Sequence, residues 1–170
     1  MTDGPWDNWP IQMDLELAQN EFAVRVERVA QSFVGTIEET PEQLLTQPGI
    51  HGNWSGKDIL AHCTFWAEYC AEVLRRSIHR TFVAADFIYD DEAAFDQRAV
   101  DREAGTDFRT LLLRFRQATS EVADLTRALA PEEWDATPRY RKVIAGAILE
   151  EVPEHEYQVR SLGAEGQASG

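Results

Sequence analysis

The chain has 170 residues, of which 44% are hydrophobic and five are Trp, and this composition predicts one folded domain with a hydrophobic core. Acidic residues outnumber basic ones by 30 to 16, so the formal net charge is −14, which argues against nucleic acid and anionic membrane surfaces as partners. No apolar run approaches the roughly 20 residues of a membrane span, and the acidic start does not resemble a signal peptide.

The N-terminal part of the chain is predicted to be an irregular arm followed by a long helix. Residues 1–13 contain two Pro and two Trp without periodicity, which indicates the arm. The first helix is expected from about Asp14 to Glu38, because its apolar residues repeat at helical spacing. They are Leu15, Phe22, Val26, Val29, Phe33 and Ile37. A short helical turn begins at Thr40-Pro41 and is broken by Pro48-Gly49.

The second helix is predicted from Ser55 to about His79, and its start carries a clear signal. Ser55 is a good N-cap, and the acidic Asp58 three residues later suits a capping box. Apolar residues then recur at spacings of three and four on both sides of His62, so this histidine lies on the core-facing side. An inward histidine either satisfies a buried hydrogen bond or binds something.

The two cysteines of the chain indicate its compartment. Cys63 and Cys70 are seven residues apart on the predicted second helix. At 1.5 Å rise per residue their Cα atoms would be ~10.5 Å apart, which is too far for a disulfide. We therefore expect reduced thiols and a cytoplasmic location. Cys63 is also a poor nucleophile partner for the adjacent histidine, since neighbouring helical residues point about 100° apart.

Two further helices are predicted in the second half, after an aromatic connection at residues 80–90 whose structure the sequence leaves open. The third helical stretch starts near Asp91, is interrupted and capped again at residues 105–107, and continues to about Leu129. The last helix is expected from about Arg141 to Leu162, with a kink or division at Pro153.

These elements predict three parts and an all-α fold. After the arm, residues 14–162 are expected to form a four-helix bundle, since four long amphipathic segments occur without a phosphate loop or alternating strands. The connection at 79–90 is longer than an ordinary bundle turn, which favours a crossover connection. Gly163 is predicted to end the last helix, so residues 163–170 are interpreted as a flexible tail.

One combination of residues on the second and fourth helices can bind a metal ion. Glu151 precedes His155 by four residues, so the two share a helix face, and His62 faces inward from another helix. Two imidazoles and a carboxylate can hold one divalent cation and leave an open coordination position. An inward histidine alone is more often a hydrogen-bonded core residue, and Glu151 can simply be solvated. Spacing alone leaves both interpretations open.

Aromatic residues are concentrated around the second helix and the crossover. They either pack in the core or form the wall of a pocket for a flat or apolar ligand. Packing is the stronger interpretation for Trp66. The residues of this set are Trp54, Trp66, Phe82, Phe87, Tyr89 and Phe95, of which Trp54, Trp66 and Tyr89 are the candidates for a substrate pocket.

The stretch from Pro48 to Trp66 resembles a known family signature. It reads Pro-Gly-Ile-His-Gly-Asn-Trp-Ser-Gly-Lys-Asp-Ile-Leu-Ala-His-Cys-Thr-Phe-Trp, which is similar to Trp-Ser-x-Lys-Asp-x-Leu-Ala-His-x-x-x-Trp of the DinB-like superfamily. The ClbS/DfsB branch is the nearest in character. The interrupted third helix and the pair Glu154-His155 follow in the order that this family has. The resemblance extends from about residue 15 to residue 162.

The resemblance implies a four-helix bundle with a crossover, often as a homodimer, and in many members a divalent metal held by three histidines. One of these comes from the second helix and two, four residues apart, come from the fourth. His62 and His155 match the first two, but the third position is Val159, which cannot coordinate. Either Glu151 or water completes the shell of a Zn, Ni, Fe or Mn ion, or the site is weak or absent.

The resemblance also implies a function at a site between the second and fourth helices. The leading hypothesis is a hydrolase or protective binder that acts on a small reactive molecule, with His62 and His155 as catalytic residues or metal ligands. With a metal, bound water becomes nucleophilic near neutral pH, and without one a histidine activates water directly. A non-catalytic dimeric protein with a degenerate metal site is the second hypothesis, which Val159 favours. A thiol-dependent transferase is the third.

Overall fold

The computed structural model describes residues 17–83 and 91–168, and most of these are helical. The helices are α1 (Gln19–Glu39), α2 (Glu42–Leu45), α3 (Gly56–Ile78), α4 (Glu92–Arg102), α5 (Phe108–Ala128), α6 (Pro131–Ala136), α7 (Pro138–Ile144) and α8 (Glu151–Ala168), with a π-helical segment at Ala145–Glu150. Within the described ranges, the β pairing is an isolated bridge between His51 and Trp54. The predicted all-α fold is therefore confirmed. None of the described helices is long and apolar enough to cross a membrane.

Side-chain caps begin α3 and α5, close to the positions that the sequence predicts. Ser55 Oγ accepts a hydrogen bond from the backbone N–H of Asp58 at 3.2 Å, and Asp58 Oδ2 accepts one from the N–H of Ser55 at 2.8 Å. This capping box satisfies two backbone donors that a helix start leaves free. Asp107 caps α5 in the same way, because its Oδ1 accepts from the N–H of Thr110 at 2.9 Å.

The long helices pack in an order that differs from their order in the chain. α1 packs mainly against α5 and α8, whereas α3 packs mainly against α5 and, to a smaller extent, against α4 and the π-helical segment. The first two long helices are therefore not each other's main neighbours, whereas α3 and α5, the long helices on either side of the connection at 79–90, pack directly against each other. A crossover at 79–90 stays a prediction. The predicted arm at residues 1–13 and residues 84–90 of the predicted crossover lie outside the described residues.

The core lies between these helices and is rich in aromatic residues. Phe33 of α1 and Phe115 of α5 are fully buried, and their ring centroids are 5.3 Å apart in an edge-to-face arrangement. Such a pair adds about 0.5–1.5 kcal/mol beyond the burial of its area. Other side chains that are fully or almost fully buried are Phe22, Leu60, Trp66, Trp134, Ile144 and Ile148.

The last helical stretch differs from its prediction at both ends. It begins at Pro138, the first residue of α7, where a proline is tolerated because the N–H it lacks would have no helical partner. The prediction that Gly163 ends the helix is wrong, since α8 continues to Ala168. A glycine costs only about 1 kcal/mol inside a helix, and the residues after it include good helix formers such as Ala164 and Gln167. The flexibility of residues 163–170 stays a prediction.

The close contact between α2 and the start of α3 requires a glycine at position 56. A Cβ atom there would lie 2.7 Å from Leu45 Cδ2 and 3.2 Å from both Leu45 Cα and its carbonyl oxygen. We expect Gly56→Ala to lower the free energy of unfolding by about 1–3 kcal/mol, because α2 must move away. Urea denaturation measures this change. Gly35→Ala is the control: its Cβ meets nothing within 4 Å, so we expect no loss and a gain of up to ~1 kcal/mol. An equal loss in both variants would contradict the packing argument.

Candidate functional site

Three predicted ligands come together between α3 and α8. His62 lies in the second turn of α3, and Glu151 and His155 lie in the first two turns of α8. Each offers one potential ligand atom, and these three atoms lie within 4.8 Å of one another. Within the part of the chain that the structure describes, no other group of three or more His, Cys, Asp or Glu side chains meets the same condition. The sequence spacing therefore identified a real spatial cluster.

The π-helical segment sets the direction in which Glu151 and His155 point. A π turn holds about one residue more than an α turn, so the residues that follow it are rotated by roughly 100°. Pro153 lies just after the segment, and it lacks the N–H that would bond to the carbonyl of Leu149 and crowds that carbonyl. The sequence predicts a kink or division of the helix at Pro153. The structure instead has a widened turn, the π-helical segment, which lies one turn before Pro153. Beyond it, Val152, His155 and Val159 are all buried.

His62 contacts carboxyl groups on two sides. Its Nε2 is 3.1 Å from Glu151 Oε2, within hydrogen-bond distance. Its Nδ1 is 3.6 Å from Asp96 Oδ1, which instead accepts a hydrogen bond from Trp66 Nε1 at 2.9 Å. Among the described residues, Nδ1 of His62 is a buried nitrogen without a hydrogen-bond partner. A histidine kept only for core hydrogen bonding would have its buried nitrogens satisfied, so this geometry favours a functional interpretation.

Burial keeps the imidazoles of this cluster uncharged. It lowers the pKa of His62 to about 4, and it also lowers the pKa of His155. Burial raises the pKa of Glu151 to about 7 and shifts the pKa of Asp96 upwards. The physical cause is the same in each case, since a charged group loses solvation when it is enclosed. Near neutral pH the imidazoles are unprotonated bases, and Glu151 stands close to the change between carboxyl and carboxylate.

This set of donors fits a divalent metal ion. Neutral imidazole nitrogens and a carboxylate oxygen are ligands of zinc and other transition metals. A cation would also replace the proton held by Glu151, because its charge stabilises the carboxylate form that burial disfavours. The side chain of Glu151 is 32% exposed and that of His62 is 5% exposed, so the cluster is enclosed at His62 and reachable from solvent at Glu151.

Two residues that the sequence did not identify connect His155 to the surface. His155 Nδ1 lies 2.9 Å from Gln158 Oε1, and Gln158 Nε2 lies 3.2 Å from Nδ1 of the exposed His51. The ring centroids of His51 and His155 are 5.5 Å apart, and those of His155 and His62 are 5.2 Å apart. Three imidazoles therefore line one side of the site. His51 reaches it because the bridge to Trp54 folds the loop before α3 onto α8.

The proposed pocket residues lie in different places. The ring of Trp54 is half-buried with its centroid 5.1 Å from that of His62, and its Nε1 donates to Gln97 Oε1 at 2.9 Å. Trp66 is only 2% exposed and contacts the site through Asp96. Tyr89 lies outside the described residues. The role of these aromatic residues in binding a substrate stays a prediction.

The cysteines are not placed for nucleophilic chemistry. Cys63 and Cys70 are free and buried, and burial raises the pKa of both thiols well above the usual value. Neither supplies a thiolate near neutral pH, because the nucleophilic form of cysteine is the anion. Any thiol that takes part in chemistry at this site would have to come from a separate molecule.

The shifted pKa values predict opposite pH profiles of stability for two variants. Between about pH 4.5 and 6.5, His62 and Glu151 together bind one proton in the folded state, on Glu151, and one in the unfolded state, on His62. The two residues therefore contribute almost no pH dependence to the free energy of unfolding. In Glu151→Gln only the lowered pKa of His62 remains, so the unfolded state binds one proton more than the folded state between about pH 4 and 6.5. The free energy of unfolding therefore rises with pH over this range. In His62→Gln only the raised pKa of Glu151 remains, so the folded state binds one proton more than the unfolded state between about pH 4.5 and 7. The free energy of unfolding therefore falls with pH over this range.

Urea denaturation at a series of pH values measures these two slopes against the parent protein. Each slope has an upper limit of ~1.4 kcal/mol per pH unit for one proton, and we expect less for Glu151 because of its partial exposure. Parallel profiles in the two variants would contradict the assignment of the proton to Glu151.

Comparison with known protein families identifies a matching family. The profile of the DinB superfamily matches residues 16–158, which is most of the chain. No curated protein and no solved structure matches the chain significantly.

Proposed function

Since this chain belongs to the DinB superfamily, we propose that His62, Glu151 and His155 hold one divalent metal ion and that the site acts on a small reactive molecule. The observation that carries the proposal is the convergence of three potential ligand atoms within 4.8 Å, in buried or half-buried side chains. Zinc, nickel, iron and manganese are all compatible with two imidazoles and one carboxylate.

The bound ion and the surrounding residues would have different roles at the site. A bound divalent ion supplies Lewis acidity and a water of lowered pKa at its open position. Glu151, whose pKa is about 7 in the metal-free protein, would give up its proton when the ion binds and supply a carboxylate oxygen as a ligand. The ring of Trp54 lies against that of His62 and excludes water from one side of the imidazole. The two histidines stay neutral and present nitrogen lone pairs to the site.

We propose a hydrolase or a protective binder for a reactive electrophile, as in the ClbS/DfsB branch. Two features support this choice: residues 48–66 resemble the motif of that branch, and Trp54 offers a half-buried aromatic face beside the cluster. The net charge of −14 makes a nucleic-acid partner unfavourable. We expect a small-molecule partner in the cytoplasm.

Turnover of a panel of electrophiles tests this proposal. Protein prepared without a nickel column is loaded with zinc and incubated with activated esters and strained-ring electrophiles in ¹⁸O-labelled water. A hydrolase gives labelled product at a rate that depends on His62 and His155, whereas a protective binder retains the intact electrophile. If the parent protein and a His62→Ala, His155→Ala double variant behave alike towards every compound, the proposal is wrong.

A non-catalytic protein with a degenerate site is the second candidate, and Val159 is the observation that favours it. Its side chain is apolar and 0% exposed, at the position where the family resemblance implies a third histidine. This candidate predicts less than one metal ion per chain after dialysis against micromolar zinc. Elemental analysis separates the two candidates, because the leading one predicts one ion per chain.

We also propose that the chain forms a homodimer, as the family resemblance implies. Size-exclusion chromatography with light scattering should give twice the chain mass of 19.3 kDa. A monomer at micromolar concentration would contradict this proposal without affecting the metal site.

A further inference from the structure

A chain of two hydrogen bonds leads from the metal-ligand cluster to the protein surface. It starts at His155, which is 6% exposed, passes through the amide of Gln158, and ends at the exposed His51. Gln158 and His155 are three residues apart on α8, and His51 belongs to the loop before α3. The amide of Gln158 therefore contacts two imidazoles at once.

The two ends of an amide differ, so the orientation of the Gln158 amide in this structure, with Oε1 towards His155 and Nε2 towards His51, assigns the protons of both rings. Oε1 of Gln158 can only accept, so Nδ1 of His155 must carry a hydrogen and donate it across 2.9 Å. Nε2 of Gln158 can only donate, so Nδ1 of His51 must be the accepting nitrogen at 3.2 Å. In their neutral forms, His155 is thus the Nδ1–H tautomer and His51 is the Nε2–H tautomer.

This assignment determines which nitrogen of His155 is available to the cluster. With its proton on Nδ1, the lone pair lies on Nε2, the only nitrogen of His155 left to act as a ligand or base. In metal sites a ligating histidine usually donates its other N–H to a fixed acceptor, which sets the tautomer and the ring orientation. For His62 the atom opposite the cluster is Nδ1, and the carboxylate of Asp96 lies 3.6 Å away. For His155 the fixed acceptor is Gln158.

We propose that Gln158 is a positioning residue, whose amide holds His155 in the Nδ1–H tautomer and ties it to His51 at the mouth of the site. The part of this inference that concerns metal affinity rests on the proposed function. The tautomers themselves are a property of the metal-free protein and can be measured without any ion.

Two substitutions of Gln158 separate its accepting and donating roles. Gln158→Leu removes both, so His155 loses its acceptor and we expect its proton to move to Nε2. Gln158→Glu keeps an acceptor for His155 Nδ1–H but removes the donor to His51, so only the tautomer of His51 should change. His79, which is exposed at the end of α3, serves as the internal control in every sample.

Long-range ¹H–¹⁵N spectra of histidine-labelled, metal-free protein at about pH 8.5, where neutral imidazoles predominate, report each tautomer directly. The expected result is Nδ1–H at His155 in the parent and in Gln158→Glu, and Nε2–H in Gln158→Leu. An Nε2–H tautomer of His155 in the parent, or an unchanged one in Gln158→Leu, would overturn the inference. A merely structural role of Gln158 would not give this pattern.

Zinc affinity provides the second readout. We expect Gln158→Leu to weaken zinc binding by about 10–100-fold and Gln158→Glu to retain it. Unchanged affinity in Gln158→Leu would overturn the positioning role. If the parent binds no zinc while the tautomers follow the expected pattern, the proposed metal function fails and the assignment of Gln158 as the residue that orients His155 stands.

Discussion

Replacing His62 and His155 together with alanine is expected to abolish the binding of a divalent metal ion. The two substitutions remove both nitrogen donors of the cluster and leave Glu151 as its single ligand. Loss of a residue that only orients a ligand costs about 10–100-fold in affinity, so loss of two ligands should exceed ~100-fold. Competition between the protein and a chromophoric chelator for zinc measures the difference.

His79→Ala is the matched control for this experiment. His79 is an exposed histidine at the C-terminal end of α3, 17 residues from His62. At 1.5 Å per residue the two lie ~25 Å apart along the helix, so the control removes an imidazole far from the cluster. We expect its zinc affinity to equal that of the parent. Retention of tight zinc binding by the double variant would show that the ion binds elsewhere.

Val159→His should change stability and metal affinity in opposite directions. Val159 is 0% exposed and follows His155 by one turn on the same face of α8. Without metal, a larger polar ring in this enclosed position is expected to lower the free energy of unfolding by about 1–3 kcal/mol. With metal, a third imidazole should raise the affinity for zinc by at least ~10-fold. Urea denaturation with and without zinc measures both effects.

A buried valine outside the cluster provides the control for the stability that is lost when a histidine ring replaces a buried valine. Val122 of α5 is also 0% exposed, but it is not part of the cluster. Val122→His should lose stability to a similar extent and gain no zinc affinity. If Val159→His also gains none, position 159 does not reach the site, and the missing histidine is not what limits metal binding.

The sequence predicted the parts of the site that depend on local rules. The capping box at Ser55 and the helical spacing around His62 placed this histidine on the inner face of α3, and the structure agrees. The spacing of four between Glu151 and His155 lies within one helix and is equally local. These three residues could be named because helix geometry alone relates sequence distance to direction.

The remaining residues of the site depend on tertiary packing, which spacing does not report. Asp96 of α4 lies 3.6 Å from Nδ1 of His62. Because α4 is a mostly polar helix, its hydrophobic periodicity does not predict how it packs against α3. His51 belongs to a loop, and Gln158 is one of many polar residues on α8 until His155 is known to be its partner. The widened turn before Glu151 also could not be predicted from the sequence, because the analysis of helical periodicity assumes 3.6 residues per turn throughout.

The most direct measurement is a crystal structure of zinc-loaded protein with anomalous data collected on both sides of the zinc edge. The protein is prepared without a nickel column, so that any ion present has been added deliberately. We expect one anomalous peak per chain, with a nitrogen of His62, a nitrogen of His155 and an oxygen of Glu151 each at about 2.0–2.2 Å. An empty cluster, or zinc bound only by exposed carboxylates elsewhere, would contradict the assignment of these three residues as a metal site.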